Sequence, residues 1–599
     1  MSTRSGPQLS PQDSGEGVTR FIVLLVLAVA LGLRLVHMTY MLPSPLTFQR
    51  GPDEDYYLRF GQAVAGGGSD NAEFAFMDPA YGYILGLIFK LLGANVYVVY
   101  VVQVLLDTLT TYCIFLIGRE LGHPRGGVYG ALVYALTCTA LYFCATLLKA
   151  TWVANFMTLW VLFSLVLLRT KSLAAWLFFG LLCGYGVALR ANLIVMAGLA
   201  ALLLAWLSPG PRAGGVLRAT GIRLGVLGLG LALPLLLLSL RNERISGTFS
   251  PLPNNGGVVL HHLYNLENPS ASLLLPKFVK FATPTQIWTD YSREAERRLG
   301  HALSPHEIDR YWRGEAVAYI VSHPADVLRN AGRKLLEFVA YTEVPNNRSL
   351  LQDRLFSPVL RVLPSPFGWL LALGLPGIGV LLYRDRRAVL VMAPIVVAAA
   401  TVAVFFSEDR FRFHAVPMLA LGTGLFLEDL HGWVKTGGTR ALVMGNVASA
   451  LVGGASVLLA TQLPQPHVVW DRVIWGYLKM NSKNAIAPAK TLALQVLAEE
   501  PTNARVQEAL AYIAAAEGKY PDAIAYYRRT VALRPDDDVA HYNLAKMLVK
   551  VGEHDGALEE AAIAARLEPL PEYRQLLDEL SVKSGQTEEL GRQAEPSTR

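Results

Sequence analysis

The chain has 599 residues, of which 53% are hydrophobic and 17% charged, and its mean hydropathy of +0.35 excludes an ordinary soluble protein of this length. Its formal charge of +6 does not argue for nucleic acid, because Lys and Arg sit mostly in short segments between apolar runs, where they report membrane orientation. The four cysteines, Cys113, Cys138, Cys144 and Cys183, lie in or beside such runs without metal-ligand spacing and read as packing residues.

Residues 1–20 are polar and rich in Ser, Pro and Gly, which predicts a disordered cytoplasmic tail. The apolar run that follows is too long and too poorly terminated for a cleaved signal, so the first span is expected to remain. A spanning helix needs about 20 mostly apolar residues. About eleven runs meet that need, beginning near Phe21, Val96, Gly126, Thr151, Leu173, Asn192, Leu224, Phe367, Ala388, Ala415 and Ala441. The basic residues of the short loops, such as Arg119, Arg125, Arg169, Lys171, Arg384 and Lys435, alternate sides consistently if the amino terminus is cytoplasmic. The loops 41–93 and 241–365, the segment 407–414 and everything beyond about Thr461 then lie outside the cytoplasm. The reading is an all-α polytopic membrane protein of about 11 transmembrane helices, with its membrane domain over 21–464.

Past the last span the composition shifts to Ala, Glu, Arg and Tyr at helical spacing. Gly518, Ala523 and Pro535 recur as Gly552, Ala557 and Pro569, 34 residues on each time, and Leu510 and Leu544 keep the same step. That period resembles tetratricopeptide repeats, with Ala489 and Pro501 extending the phase upstream as a degenerate unit. Residues 465–580 are therefore expected to form a helical solenoid for contact with a protein partner, and 581–599 a disordered tail. An amphipathic helical tail without repeat order is the alternative.

Three segments carry candidate chemistry. In Gly51-Pro52-Asp53-Glu54-Asp55-Tyr56-Tyr57 the proline and acids suit the first turn of a helix lying on the membrane, where carboxylates meet the positive end of the helix dipole. The acids are read either as caps or as catalytic groups. In Asp78-Pro79-Ala80-Tyr81-Gly82-Tyr83 the tyrosines are either interfacial anchors or, with Asp78, the lining of a sugar site. In the long loop, Ser304-Pro305-His306-Glu307 has the register of a capping box. His261-His262 lacks helical ligand spacing and is not read as a metal site.

These residues, followed by Gln103, Gly118-Arg119-Glu120-Leu121-Gly122, Leu189-Arg190-Ala191-Asn192, Gly247–Gly257, Glu343-Val344-Pro345-Asn346-Asn347 and Arg410–Pro417, resemble membrane glycosyltransferases of the GT-C type. That group holds the dolichyl-phosphate-mannose protein mannosyltransferases, the aminoarabinose lipid A transferases and the rhizobial galacturonosyltransferases. The resemblance covers roughly residues 20–430. It implies an inverting transfer of sugar from a polyprenyl-phosphate donor to a hydroxyl of an extracytoplasmic acceptor, whether glycan, lipid-linked saccharide or protein. It implies Asp53 as catalytic base and Glu54 as a second carboxylate, orienting the acceptor or holding a cation, while Asp55 faces water. Metal use stays open: no metal ligands are assigned, and a divalent cation is one option.

The leaving lipid phosphate calls for fixed cations at the extracytoplasmic edge, and Arg190, Arg410 and Arg412 lie there in the deduced topology. Glu408 and Asp409 are the alternative partners of the last two, as ordinary surface charges. Where several members of the group carry an acid, this chain reads Leu147-Leu148-Lys149-Ala150, and Lys149 is either a phosphate contact or a snorkelling lysine. His414 reads as packing. The same resemblance makes Asn254 and Asn255 candidates for sugar contacts, although Asn-Asn-Gly-Gly also suits a plain turn, and it adds Glu343 to the substrate-binding set. The expected location is a bacterial inner membrane. Two other classes compete: a transporter or flippase, which should carry ionisable groups in mid-span and repeated halves, and a membrane-anchored repeat scaffold for envelope assembly.

Overall fold

The structure is a computed structural model that describes residues 11–68, 72–208, 214–270, 274–279, 283–341, 343–345, 348–363, 367–436, 440–462, 469–480 and 482–584. Among these the regular elements are all helices. The chain divides into two compact units, one of Met1–Leu42 with Arg50–His467, the other of Pro43–Gln49 with Val468–Arg599.

The apolar runs lie in helices, and among the described residues six helices are long and apolar enough to cross a membrane: Thr19–Met41, Val96–Glu120, Ala150–Leu167, Ala219–Ser246, Phe367–Arg384 and Arg386–Val404. A seventh span results if Pro124–Ala135 and Cys138–Cys144, bent by 58°, count together. Leu173–Leu189, Ala191–Leu207 and Met444–Leu459 are shorter, so eleven full-length spans are not what the helices provide. The chain is an integral membrane protein. Its first helix runs from Pro11 to Met41, which makes residues 11–20 helical rather than a disordered tail, and residues 1–10 lie outside the described residues. The four cysteines are buried and free.

Close helix contact in the membrane unit depends on small residues. The helices Leu173–Leu189 and Gly214–Ser246 meet at Gly180 and Gly230, where an added Cβ would lie 2.1 Å from the Leu227 carbonyl oxygen and 2.3 Å from that of Leu177, respectively. Gly180→Leu is therefore expected to destabilise by about 1–3 kcal/mol or more, as overpacking does. Gly198→Leu, at a site with nothing within 4 Å, is the control. Equal thermal midpoints for the two purified variants would contradict this account.

A buried ion pair lies inside the spans. Arg34, fully buried, pairs with Asp107 at 2.5 Å and donates to the carbonyls of Ala30 and Ala135 at 3.0 and 3.1 Å, while the Tyr134 hydroxyl donates to Asp107 at 2.5 Å. The pair joins three helices, with Arg34 Nη2 left without a hydrogen-bond partner among the described residues.

The helix Pro52–Ala65 starts as its sequence suggests, with Pro52 at its first position and Asp53, Glu54 and Asp55 in its first turn. Its apolar face is covered by protein rather than left for a membrane surface. Tyr56, Tyr57 and Phe60 are at most 1% exposed; the Phe60 ring stacks on Phe74 at 4.6 Å, and Tyr57 meets Tyr81 edge-on at 5.0 Å. In the long loop the helix Pro305–Ser322 has its capping box, Ser304 Oγ accepting from the Glu307 amide and Glu307 accepting from the Ser304 amide. Beside it pack Gly256–Leu263 and Pro284–Leu299, around Trp312 and Tyr291, both fully buried.

The second unit is a tetratricopeptide array. Helix pairs Ala504–Ala516 with Tyr520–Leu533, and Asp538–Val551 with His554–Leu567, are joined through Gly518 and Gly552, whose φ of +75° and +84° require the freedom of glycine. Asn503 and Asp537 cap the first helix of each pair, accepting from the Val506 and Ala540 amides. The small residues that define the repeat, Ala489, Ala523 and Ala557, are all fully buried. Upstream, Trp470–Lys479 and Lys483–Glu499 form a further pair, against which Pro45–Phe48 packs through a Gly476 that leaves no room for a side chain. The last helix runs from Pro571 to Ser584, into the expected disordered tail, and residues 585–599 lie outside the described residues.

Candidate active site

Asp53 stands in the first turn of its helix with its side chain 15% exposed, paired with Arg410. Arg410 belongs to the short helix Asp409–Arg412 and is paired also with Glu408, which is fully buried. The next residue, Phe411, lies between two guanidinium groups, that of Arg190 4.3 Å from its ring centroid and that of Arg410 5.1 Å away. Such cation–π contacts fix the forks without neutralising them.

Arg190 ends the helix Leu173–Leu189 in extended backbone. At the next residue the Ala191 amide donates to Asp78 at 3.0 Å, and the other oxygen of Asp78 pairs with Lys149. Lys149 precedes the helix Ala150–Leu167 and lies 5.7 Å from the Tyr57 ring. Burial pushes its ammonium down to about 8; Asp78 opposes that, while Arg190 and Arg410 add to it. Burial, and then the charges of Arg190, Lys149 and Arg410, hold the His414 ring well below the usual imidazole range. Among the described residues, the Tyr57 hydroxyl, Arg190 Nη1 and His414 Nε2 are buried here without a hydrogen-bond partner, as is Glu408 Oε1, while Glu408 Oε2 and Arg410 Nε meet only each other as an ion pair. A buried polar group without a partner costs roughly 1–3 kcal/mol, and the Tyr57 hydroxyl and Arg190 Nη1 are donors suited to a ligand that brings acceptor oxygens.

The structure thus brings Asp53, Asp78, Lys149, Arg190 and Arg410 into one cluster and leaves other expected members out. Glu54, expected to orient an acceptor, is fully buried. It accepts from the Gly51 amide at 2.9 Å and the Leu147 amide at 3.0 Å, and lies 3.7 Å from Arg348. Its helix position turns it inward, where it anchors the turn that presents Lys149. Arg412, expected at the phosphate, faces the other way. It pairs with Asp409 at 3.1 Å, donates to the Ala340 carbonyl at 2.5 Å and stacks on Phe367 at 4.1 Å.

The remaining expected substrate residues serve internal bonds. Tyr81 donates to Gln103 at 3.0 Å, Tyr83 accepts from Arg241 at 3.1 Å, Asn254 donates to Ser246 and Thr248, and Asn255 donates to the Phe76 carbonyl at 2.6 Å. Glu343 accepts from the amides of Leu350 and Leu351 at the start of the helix Leu350–Phe356, and burial followed by the neighbouring Asp409 pushes its carboxyl up. Asn346 and Asn347 lie outside the described residues. Asp55 is half exposed, 3.8 Å from Arg50. No group of three or more His, Cys, Asp or Glu among the described residues is disposed to hold a metal ion, and no step is routed through one.

Sequence reasoning missed Tyr57 and Phe411 as members of the cluster, and Arg348 and Asp353 behind it; Glu408 and Asp409 were named only as alternative partners of Arg410 and Arg412, and they are paired in that way. Arg348 pairs with Asp353 at 2.8 Å and donates to the Ala145 carbonyl at 3.0 Å. The signal available for Arg348 was the one used for Arg410 and Arg412: an arginine in a segment that the deduced topology puts outside the cytoplasm.

Residues 77–237 match the profile of the family described as dolichyl-phosphate-mannose-protein mannosyltransferase, and residues 514–580 that of the tetratricopeptide repeat. The first segment contains Asp78, Lys149 and Arg190 but neither Asp53 nor Arg410. No curated protein matches the chain. Among solved structures, AglB from Archaeoglobus fulgidus, in complex with an inhibitory peptide and a dolichol-phosphate, aligns at 12% identity and a TM-score of 0.42, over 80% of this chain and 60% of that one. The apo oligosaccharyltransferase of the same organism aligns at 13% and 0.41, over 79% and 59%. ArnT from Cupriavidus metallidurans bound to undecaprenyl phosphate aligns at 16% and 0.31, over 67% and 77%. The chain spans less than two thirds of the length of the archaeal proteins.

Proposed function

Starting from a membrane protein that carries a protein-mannosyltransferase family segment over 77–237 and a tetratricopeptide segment over 514–580, we propose that it is an inverting glycosyltransferase with a polyprenyl-phosphate sugar as donor. The acceptor is a hydroxyl of a glycan, a lipid-linked saccharide or a protein outside the cytoplasm. The observation that carries this reading is the set of unpartnered polar atoms of Tyr57, Arg190 and His414 beside the cations Lys149 and Arg410, next to the accessible carboxylate of Asp53. A phosphate would fill that set.

In the proposed reaction the acceptor oxygen attacks the anomeric carbon from the face opposite the phosphate. The bond from that carbon to the phosphate oxygen breaks, its electron pair leaves with the lipid phosphate, and Asp53 takes the acceptor's proton. Arg190, Lys149 and Arg410 stabilise the charge that develops on the leaving oxygen. The membrane is that of a bacterial cell, with the cluster and the repeat unit on its extracytoplasmic side, where the basic loops of the opposite face leave them. The repeats hold a protein partner.

Arg190→Ala is expected to weaken binding of undecaprenyl phosphate by about 10- to 100-fold, the loss of a charge-assisted hydrogen bond worth about 1.5–3 kcal/mol. Arg412→Ala is expected to lower thermal stability and leave that affinity intact. Affinity also falls as pH rises. Lys149 is charged below about 8, so its contribution is complete there and is lost as the pH climbs past that value, while the phosphate's second ionisation, near about 6, is already over. Calorimetric titration of the full chain in nanodiscs, on either side of that pH, checks all three outcomes. Binding unchanged in Arg190→Ala, or rising with pH, contradicts the assignment.

A further inference from the structure

The long loop holds a cavity of about 340 Å³ between the helices Gly256–Leu263, Pro284–Leu299 and Pro305–Ser322, sharing no residue with the Asp53 cluster. That volume is at the lower end of the range for small-molecule sites, about 300–1,000 Å³.

Its walls mix flat aromatic surface with hydrogen-bonding groups of both kinds. Phe278 lines it and stacks on Trp312 at 5.5 Å, and Tyr319 lines it and stacks on His323 at 4.5 Å and 14°. The rings are held by their neighbours before any ligand arrives. His261 stands 4.3 Å from the Trp312 ring, and its burial pushes it down to about 4, so it is an uncharged imidazole at neutral pH. Among the described residues the Glu315 carboxylate, the Tyr319 hydroxyl and His261 Nε2 make no hydrogen bond or ion pair, although all three residues line the cavity.

Charge narrows the ligand. Arg298 is the one cation of the lining, and Glu294 already engages it at 2.7 Å. Glu267 and Glu315 face it with two carboxylates. An anion meets the carboxylates, and a cation meets the guanidinium. A neutral polyol satisfies donors and acceptors together and can lay its C–H face on a ring. We propose that this cavity binds a neutral saccharide, as a carbohydrate site separate from the reaction centre. The assignment rests on the cavity alone and holds whichever group the enzyme transfers.

Saturation-transfer NMR on the full chain in nanodiscs, free of sugar detergents, with the methyl glycosides of glucose, galactose and mannose and their disaccharides, tests it. At least one neutral glycoside is expected to bind saturably, about tenfold more weakly to Glu315→Gln and to Tyr319→Leu, and with unchanged affinity to Asp53→Asn. Glu315 is exposed, so its variant folds, as an unchanged thermal transition will report; if Tyr319→Leu does not fold, Glu315→Gln decides alone. The proposal is overturned if no neutral glycoside binds, if Glu315→Gln binds as wild type does, or if Asp53→Asn abolishes binding. Preference for glucuronate, glucosamine or a short serine peptide over every neutral glycoside overturns it as well.

Discussion

Asp53→Asn is expected to lower sugar transfer by about 10²- to 10⁴-fold, the range that a positioned general base supplies, while undecaprenyl phosphate still binds. Asparagine keeps the size of the side chain and its place in the first helical turn, so the loss reports the missing base rather than a collapsed site. Arg410 retains its second partner, Glu408, when Asp53 is neutral, and is free to turn its fork to the phosphate. Transfer and binding therefore separate: kcat falls and lipid affinity holds or rises. Single-turnover transfer and calorimetry on the same preparation measure the two. Parallel loss of both would mean that Asp53 holds the fold of the cluster rather than the proton.

The second large effect is on stability. Arg348 is buried between Glu54 and Asp353, at 3.7 and 2.8 Å, and Arg348→Met leaves two carboxylates buried without their cation. Breaking a buried pair from one side costs about 3–5 kcal/mol. The sign of its pH dependence follows from Asp353. Burial pushes that carboxyl up to about 6, with Arg348 holding it from rising further and Glu54 adding to the rise. In the folded variant it rises further still, above its unfolded value near 3.8. An acid raised on folding destabilises progressively as pH climbs from the unfolded value through the folded one. The deficit that this titration adds in Arg348→Met is thus small below about 6 and opens as the pH climbs above that value toward the variant's higher one, where unfolding midpoints of variant and wild type will read it. A deficit that shrinks as the pH rises contradicts the network.

What the sequence made legible was local. The proline start and acidic first turn at Pro52, the capping box at Ser304 and the recurring glycines and alanines of the repeats each depend on residues within one turn or one repeat of each other. The cation cluster was partly legible through topology, since Lys149, Arg190 and Arg410 end or precede helices on one deduced face. Spacing within a helix was the point of failure. Neighbours lie about 100° apart around the axis, so Glu54 turns into the protein where Asp53 does not, and Arg412, two residues beyond Arg410, looks toward Ala340 and Phe367. The ties of Glu54 to Leu147 and of Arg348 to Glu54 join segments far apart in the chain, and no local pattern announces them. The count of about eleven spans is not confirmed, because runs that hydropathy reads as full spans include the shorter helices Leu173–Leu189, Ala191–Leu207 and Met444–Leu459 and a helix pair bent at Leu136 and Thr137.

The most direct measurement is transfer by the purified full chain from a panel of polyprenyl-phosphate sugars, with the anomeric configuration of the product read by NMR and Asp53→Asn run alongside. The account predicts that one donor is turned over with inversion by the wild type, and that Asp53→Asn binds the lipid phosphate without transferring the sugar. Transfer at the wild-type rate by Asp53→Asn, retention of configuration, or the turnover of no donor at all would contradict it.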